Sequence, residues 1–109
     1  MKIGHIIVPA GDLDTQVAFY TALGLTLRFR DGDRYAALTD GTTTLALADA
    51  SQQPVPGAVV VSIAVDDLDG FLSGFDGEAG PVVEGPHERT VLVRDAAGNA
   101  VVVYAKKSV

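Results

Sequence analysis

The chain has 109 residues, of which 48% are apolar and 20% are charged, with no cysteine and a formal net charge of −6. This composition is typical of one globular domain and excludes disulfide and thiolate chemistry. The acidic balance argues against nucleic acid and anionic membranes as partners, because both recruit clustered Lys and Arg. The N-terminal apolar run is too short for a signal-peptide core or a membrane span, so we expect a cytoplasmic protein.

The first half of the chain predicts a strand, a helix and three further strands. A run rich in β-branched residues, Lys2 to Pro9, predicts the first strand. An acidic N-cap, Asp12 or Asp14, introduces an apolar repeat at helical spacing that ends at Gly24. Turns rich in Asp and Gly then separate three predicted strands, which are Leu25–Phe29, Arg34–Leu38 and Thr43–Ala48.

The second half repeats this order, which indicates an internal duplication. An offset of 55 residues superimposes the apolar run at His5 on the one at Val60, and it also superimposes Arg34 on Arg89. The predicted elements are a strand Ala58–Val65, a helix Leu68–Phe75 after an N-cap at Asp66 or Asp67, and strands Val82–Glu84, Thr90–Arg94 and Ala100–Ala105. We expect module one to span residues 1–49, a linker 50–57 and module two 58–109, within a single domain 1–109.

This order predicts an α+β fold of two tandem βαβββ modules. A four-stranded sheet with one helix has only one face covered, so its other face needs a partner. We therefore expect the two modules to form a cupped mixed β-sheet with the helices on the outer face. Such a cup provides a concave pocket lined by both modules.

The same residues resemble the vicinal-oxygen-chelate superfamily of glyoxalases, bleomycin-resistance proteins and extradiol dioxygenases. The resemblance covers essentially the whole chain and rests on His5-Ile6-Ile7-Val8 with Asp12-Leu13-Asp14, on Phe19-Tyr20 with Leu23-Gly24-Leu25, and on Arg94-Asp95-Ala96-Ala97-Gly98-Asn99. It implies a homodimer. It also implies, for the family's enzymes, one divalent metal held by the first and last strands of each module.

Only one of the four positions that the resemblance implies for metal ligands carries a suitable side chain. These positions are His5, Val60, Leu45 and Val102, and aliphatic side chains offer no lone pair to a metal. A register error of one residue would not supply a ligand, because the neighbours are Thr44, Ala46, Val101 and Val103. We therefore predict no metal, no cofactor and no catalytic residue, and the balance favours a protein that is not an enzyme.

The polar candidates have several interpretations. His5 is open to four: a hydrogen bond to a ligand, a base, a relic of an ancestral metal site, or a strand histidine satisfied by backbone or solvent. His87 and Glu88 are interpreted as part of a solvated turn. The carboxylates that precede each helix are interpreted as caps, because capping and the helix dipole account for them without acid–base catalysis.

Strand alternation predicts an apolar pocket with a few polar side chains. Alternate residues of the first and last strands of each module are expected to share the face inside the cup, with two aromatic residues at its rim. The predicted ligand-binding residues are His5, Ile7, Phe29, Tyr35, Leu45, Leu47, Val60, Ser62, Val102 and Tyr104. The aromatic residues assigned to the core are Phe19, Tyr20, Phe71 and Phe75.

Together these observations predict that the protein binds or sequesters a small, largely hydrophobic or aromatic molecule, as an antibiotic-resistance-like or metabolite-binding protein. The alternative is a metal-dependent glyoxalase- or dioxygenase-type enzyme whose site is completed across a dimer by a residue such as His87 or Glu88. A third possibility is a metal-free isomerase or cyclase that uses His5 or a tyrosine as base.

Overall fold

The computed structural model describes residues 1–107, which form two compact units. Within the described residues, the N-terminal unit is His5–Val60, and the C-terminal unit combines Met1–Gly4 with residues 61–107. The elements in chain order are β1 (Lys2–Pro9), α1 (Leu13–Ala22), β2 (Thr26–Asp31), β3 (Tyr35–Thr39), β4 (Thr44–Ala48), β5 (Val60–Ala64), α2 (Leu68–Ser73), β6 (Val83–Glu84), β7 (Glu88–Arg94) and β8 (Ala100–Lys106).

The N-terminal unit orders its strands β2-β3-β4-β1, with β1 parallel to β4 and the other pairs antiparallel. Helix α1 begins where the Asp12 side chain accepts a hydrogen bond from the Thr15 backbone N–H at 3.1 Å. Beyond its end, Gly24 adopts a φ of 112°, a left-handed conformation that favours glycine. The helix packs against one face of this sheet, and Leu13, Leu38 and Leu47 form the centre of the buried contact.

The C-terminal unit orders its strands β5-β8-β7-β6, again with one parallel pair, β5 with β8. Helix α2 is shorter than α1, and its N-cap residue Asp67 makes no capping hydrogen bond through its side chain. The core between α2 and the sheet forms around Leu68, Val91 and Val103, with Phe71 and Phe75 packed against it. Each unit therefore has one helix over a mixed sheet, which confirms the predicted α+β class and its two βαβββ modules.

Three local predictions are corrected by the structure. Glu88 is the first residue of β7 and is partly buried, so it does not belong to a solvated turn. Helix α2 ends at Ser73, two residues before Phe75. The side chain of Phe19 is 55% exposed on α1 and lies outside the core, unlike its neighbour Tyr20. Within residues 1–107, no helix combines the length and apolar character that a membrane crossing requires.

Candidate functional site

In the N-terminal unit, four predicted site residues share the sheet face that points away from α1. His5 and Ile7 lie opposite Thr44 and Ala46 in the β1–β4 pair, and Ala46 in turn lies opposite Ala37. The rings of Phe29 and Tyr35 stand on the same face, with their centroids 6.2 Å apart. Phe29 is 57% exposed, whereas Ile7 is only 8% exposed. The predicted grouping of His5, Ile7, Phe29 and Tyr35 on one face is therefore present in this unit.

The prediction that Leu45 and Leu47 share this face is wrong. Leu45 lies opposite Ile6 in the β1–β4 pair, and Leu47 is fully buried in the core beneath α1. The register of β4 against β1 places Leu47 opposite Val8, and both leucines pack into the core beneath α1. The smaller Ala46 therefore occupies the opposite face, beside Ile7.

In the C-terminal unit, Ser62, Val102 and Tyr104 lie on the face opposite α2, as their alternation along β5 and β8 predicts. Val60 precedes Ser62 by two residues in β5 and is fully buried. Ser62 is 1% exposed. Neither Val60 nor Ser62 offers surface to a ligand in this structure. Val102 and Tyr104 are both partly buried, and Tyr104 lines a recess.

This recess, which we call the Tyr104 recess, encloses about 450 Å³, within the usual range for small-molecule pockets. Both ends of the C-terminal unit contribute to it, since the start of β1 and the end of β8 belong to that unit. The residues that line it are Lys2, Gly4, Ala64, Val65, Asp66, Tyr104 and Lys106. It thus combines an aromatic ring and small apolar groups with three charged side chains.

Tyr104 fits into this position because two of its neighbours are small. Ala64 lies beside it in the β5–β8 pair, and the far end of its ring reaches the backbone of Gly4. A Cβ at residue 4 would stand 2.8 Å from the Tyr104 Cζ and would also overlap the hydroxyl oxygen. Glycine at position 4 therefore permits the ring to lie where it forms the wall of the recess.

At neutral pH the recess holds an uncharged tyrosine beside two lysines that form no ion pair within residues 1–107. Burial, with a smaller contribution from the Glu88 charge, raises the pKa of Tyr104, so its phenol stays protonated at neutral pH. Among residues 1–107, neither Lys2 nor Lys106 forms an ion pair with a carboxylate. By contrast, the adjacent Lys107 pairs with Glu84, with 3.3 Å between Nζ and Oε1.

Sequence reasoning did not identify Lys2, Gly4, Asp66 and Lys106 as site residues. Two signals were present. Gly4 is an isolated glycine inside a strand-forming run, which often marks a close approach of another group. Lys106 follows Tyr104 by two residues and therefore shares its face of the strand. No local pattern joins residues 2–4 to residues 104–106, because their proximity arises from the tertiary fold.

The donor atoms in the described chain do not fit the metal centre of the related enzymes. Of the four positions that the resemblance implies, His5, Val60, Leu45 and Val102, only His5 offers a ligand atom, because the other three side chains are aliphatic. In residues 1–107, no group of three or more His, Cys, Asp or Glu side chains is placed to hold a metal ion.

Comparisons with known proteins agree with this fold. An uncharacterized protein from Mycolicibacterium smegmatis is 39% identical over 108 residues, which are 95% of this chain and 93% of that protein. A solved structure of an NAD-dependent benzaldehyde dehydrogenase from Legionella pneumophila has a TM-score of 0.73 at 15% identity, covering 94% of this chain and 98% of that one. A glyoxalase/bleomycin resistance protein/dioxygenase superfamily member from Vibrio splendidus has a TM-score of 0.68 at 12% identity, covering 94% and 96%.

At these identities the two solved structures support the fold alone. The family assignment rests on the sequence, because the model of the Glyoxalase/Bleomycin resistance protein/Dioxygenase superfamily matches residues 2–103. The chain belongs to the glyoxalase/bleomycin resistance protein/dioxygenase superfamily.

Proposed function

We propose that this protein binds a small, largely hydrophobic or aromatic molecule without a bound metal, as a cytoplasmic binding or sequestering protein. The Tyr104 recess carries this proposal, because it combines a suitable volume with a partly buried aromatic wall. Superfamily membership supports it at the level of the fold, which serves both binding proteins and enzymes. Sequestration of an antibiotic or a metabolite is its concrete form, and a homodimer is its proposed assembly.

The binding proposal is tested with N-phenyl-1-naphthylamine, a neutral aromatic probe that fluoresces in apolar surroundings. We expect saturable binding at about one probe per chain, and at least a severalfold weaker affinity for Tyr104→Ala. The matched control is Phe19→Ala, which removes an exposed aromatic ring outside the recess and should leave the affinity unchanged. Absence of saturable binding, or equal loss in both variants, would contradict the proposal.

The metal-free part of the proposal has its own test. The purified protein is dialysed against Ni²⁺, Zn²⁺ and Mn²⁺, then against buffer, and its metal content is measured by elemental analysis. We expect far less than one equivalent per chain, because residues 1–107 hold no group of three or more His, Cys, Asp or Glu side chains that could bind a metal ion. Retention of about one equivalent would favour the metal-dependent glyoxalase or dioxygenase alternative, with a site completed across a dimer.

A further inference from the structure

Most other basic residues in the protein form an ion pair with a carboxylate, whereas the two lysines of the Tyr104 recess form none among residues 1–107. Arg30 pairs with Asp14 at 2.7 Å, and Arg89 pairs with Glu84 at 2.8 Å, so these guanidinium groups are already neutralised locally. Lys2 and Lys106 lack such partners among residues 1–107, although the chain carries a net charge of −6. Two lysines at one recess that form no ion pair within residues 1–107 favour the binding of an anionic ligand there.

Two carboxylates near the recess form no ion pair with these lysines among residues 1–107. Asp66 lines the recess but forms no ion pair with either lysine in the described residues. Glu88 lies opposite Lys106 in the β7–β8 pair and likewise forms no ion pair with it. The three charged side chains that line the recess sum to +1, which favours one acidic group on the ligand over two.

The uncharged residues that line the recess supply an aromatic ring and small apolar groups. They are Tyr104, Ala64, Val65 and Gly4. A planar ring system gains contact area against such a wall, and the neutral phenol of Tyr104 does not repel an anion, as a phenolate would.

We propose that the Tyr104 recess selects a flat aromatic molecule that carries one acidic group, with Lys2 and Lys106 as the residues that attract this group. This inference rests on the proposed function, because it names the class of ligand that the same recess takes. It assigns a specificity role to two lysines and requires no chemical transformation of the ligand.

The test compares 8-anilinonaphthalene-1-sulfonate with N-phenyl-1-naphthylamine, two fluorescent probes that share one ring system and differ by a single sulfonate. We expect Lys2→Gln and Lys106→Gln each to weaken binding of the sulfonate probe by about two- to fivefold, the range for one exposed charge pair. Neither variant should change the affinity for the neutral probe. Raising the salt concentration should weaken binding of the sulfonate probe and leave binding of the neutral probe unchanged, because salt screens exposed charges.

Lys107→Gln is the matched control, since Lys107 adjoins Lys106 in the chain but is paired with Glu84 outside the recess. It should leave the affinity for both probes unchanged, and Lys106→Arg should retain the affinity of the parent protein. Far-UV circular dichroism confirms that each variant is folded. If the neutral probe binds but the lysine variants do not change the affinity for the sulfonate probe, this inference is overturned and the proposed function stands. If neither probe binds, the proposed function fails as well.

Discussion

The hydroxyl and ring of Tyr104 occupy the space that a side chain at position 4 would need. Because a Cβ there would lie 2.8 Å from Cζ and 2.9 Å from Cε1 of Tyr104, any residue larger than glycine must displace the ring. The recess is therefore defined by a contact between residues that are a hundred positions apart in the sequence.

We expect Gly4→Ala to move the Tyr104 ring and to destabilise the protein by about 1–3 kcal/mol, the usual cost of overpacking. The atoms that a Cβ would meet belong to a side chain and not to backbone, so the ring can shift, and the fold should persist. Near-UV circular dichroism reports the change of the tyrosine environment, and urea unfolding reports the free energy. When Tyr104→Ala is already present, Gly4→Ala should cost much less free energy of unfolding, so the double-mutant cycle should show clearly non-additive effects. Strictly additive effects would contradict the contact.

Leu47 is a core residue, and its truncation should be costly. We expect Leu47→Ala to lower the free energy of unfolding by about 2–5 kcal/mol, because the side chain is fully buried beneath α1. The matched control is Leu23→Ala, where the same atoms are removed from a side chain that is 67% exposed. That change should have a much smaller effect. Urea unfolding of both variants decides the point, and equal losses would mean that Leu47 does not pack in the core.

The protein should lose stability in acid. Backbone hydrogen bonds from Thr43 and Thr42 lower the pKa of Asp40, and hydrogen bonds from the Asn99 side chain and backbone lower the pKa of Asp95. A carboxyl group with a lower pKa in the folded state binds protons more readily when unfolded. Its contribution is therefore complete above the unfolded pKa of about 3.9 and is lost as the pH falls through the folded pKa.

This pH dependence is measured by urea unfolding at pH 7, 5, 4 and 3. The double variant Asp40→Asn/Asp95→Asn should be less stable than the parent protein at pH 7, and its loss between pH 5 and pH 3 should be smaller. An unchanged loss over that interval would show that these two turns do not account for the acid sensitivity.

The sequence predicted the elements well because their signals are local. The N-cap Asp12 and the left-handed Gly24 bound the first helix as expected, and the β1 bounds agree at both ends. The predicted face of β4 was wrong because alternation shows which residues share a face but not which face meets the helix. The register against β1 and the packing of the leucines beneath α1 decide that, and both arise from the tertiary fold.

The internal repeat also predicted that Arg34 and Arg89 are equivalent, and the structure retains the ion pair at the helix start but not this pairing of positions. The first turn of each helix holds an aspartate that pairs with an arginine, Asp14 with Arg30 and Asp69 with Arg89. The sequence alignment had placed Arg34, not Arg30, over Arg89, but Arg34 pairs with the nearby Asp31. The ion pair at the helix start is therefore present in both modules, while the strand position that supplies it differs. Such an exchange of arginines is not visible in an alignment that assumes fixed spacing.

The assignment of Met1–Gly4 to the C-terminal unit has a consequence for how the halves of the chain can be inherited. A tandem duplication produces two segments that recombination can exchange, provided that each segment carries every residue of its own site. Here the opening residues supply one side of the Tyr104 recess, whereas the rest of that recess is encoded in the second copy. A transferred second copy would arrive with an incomplete recess, so the ancestral repeats are no longer independent units of exchange.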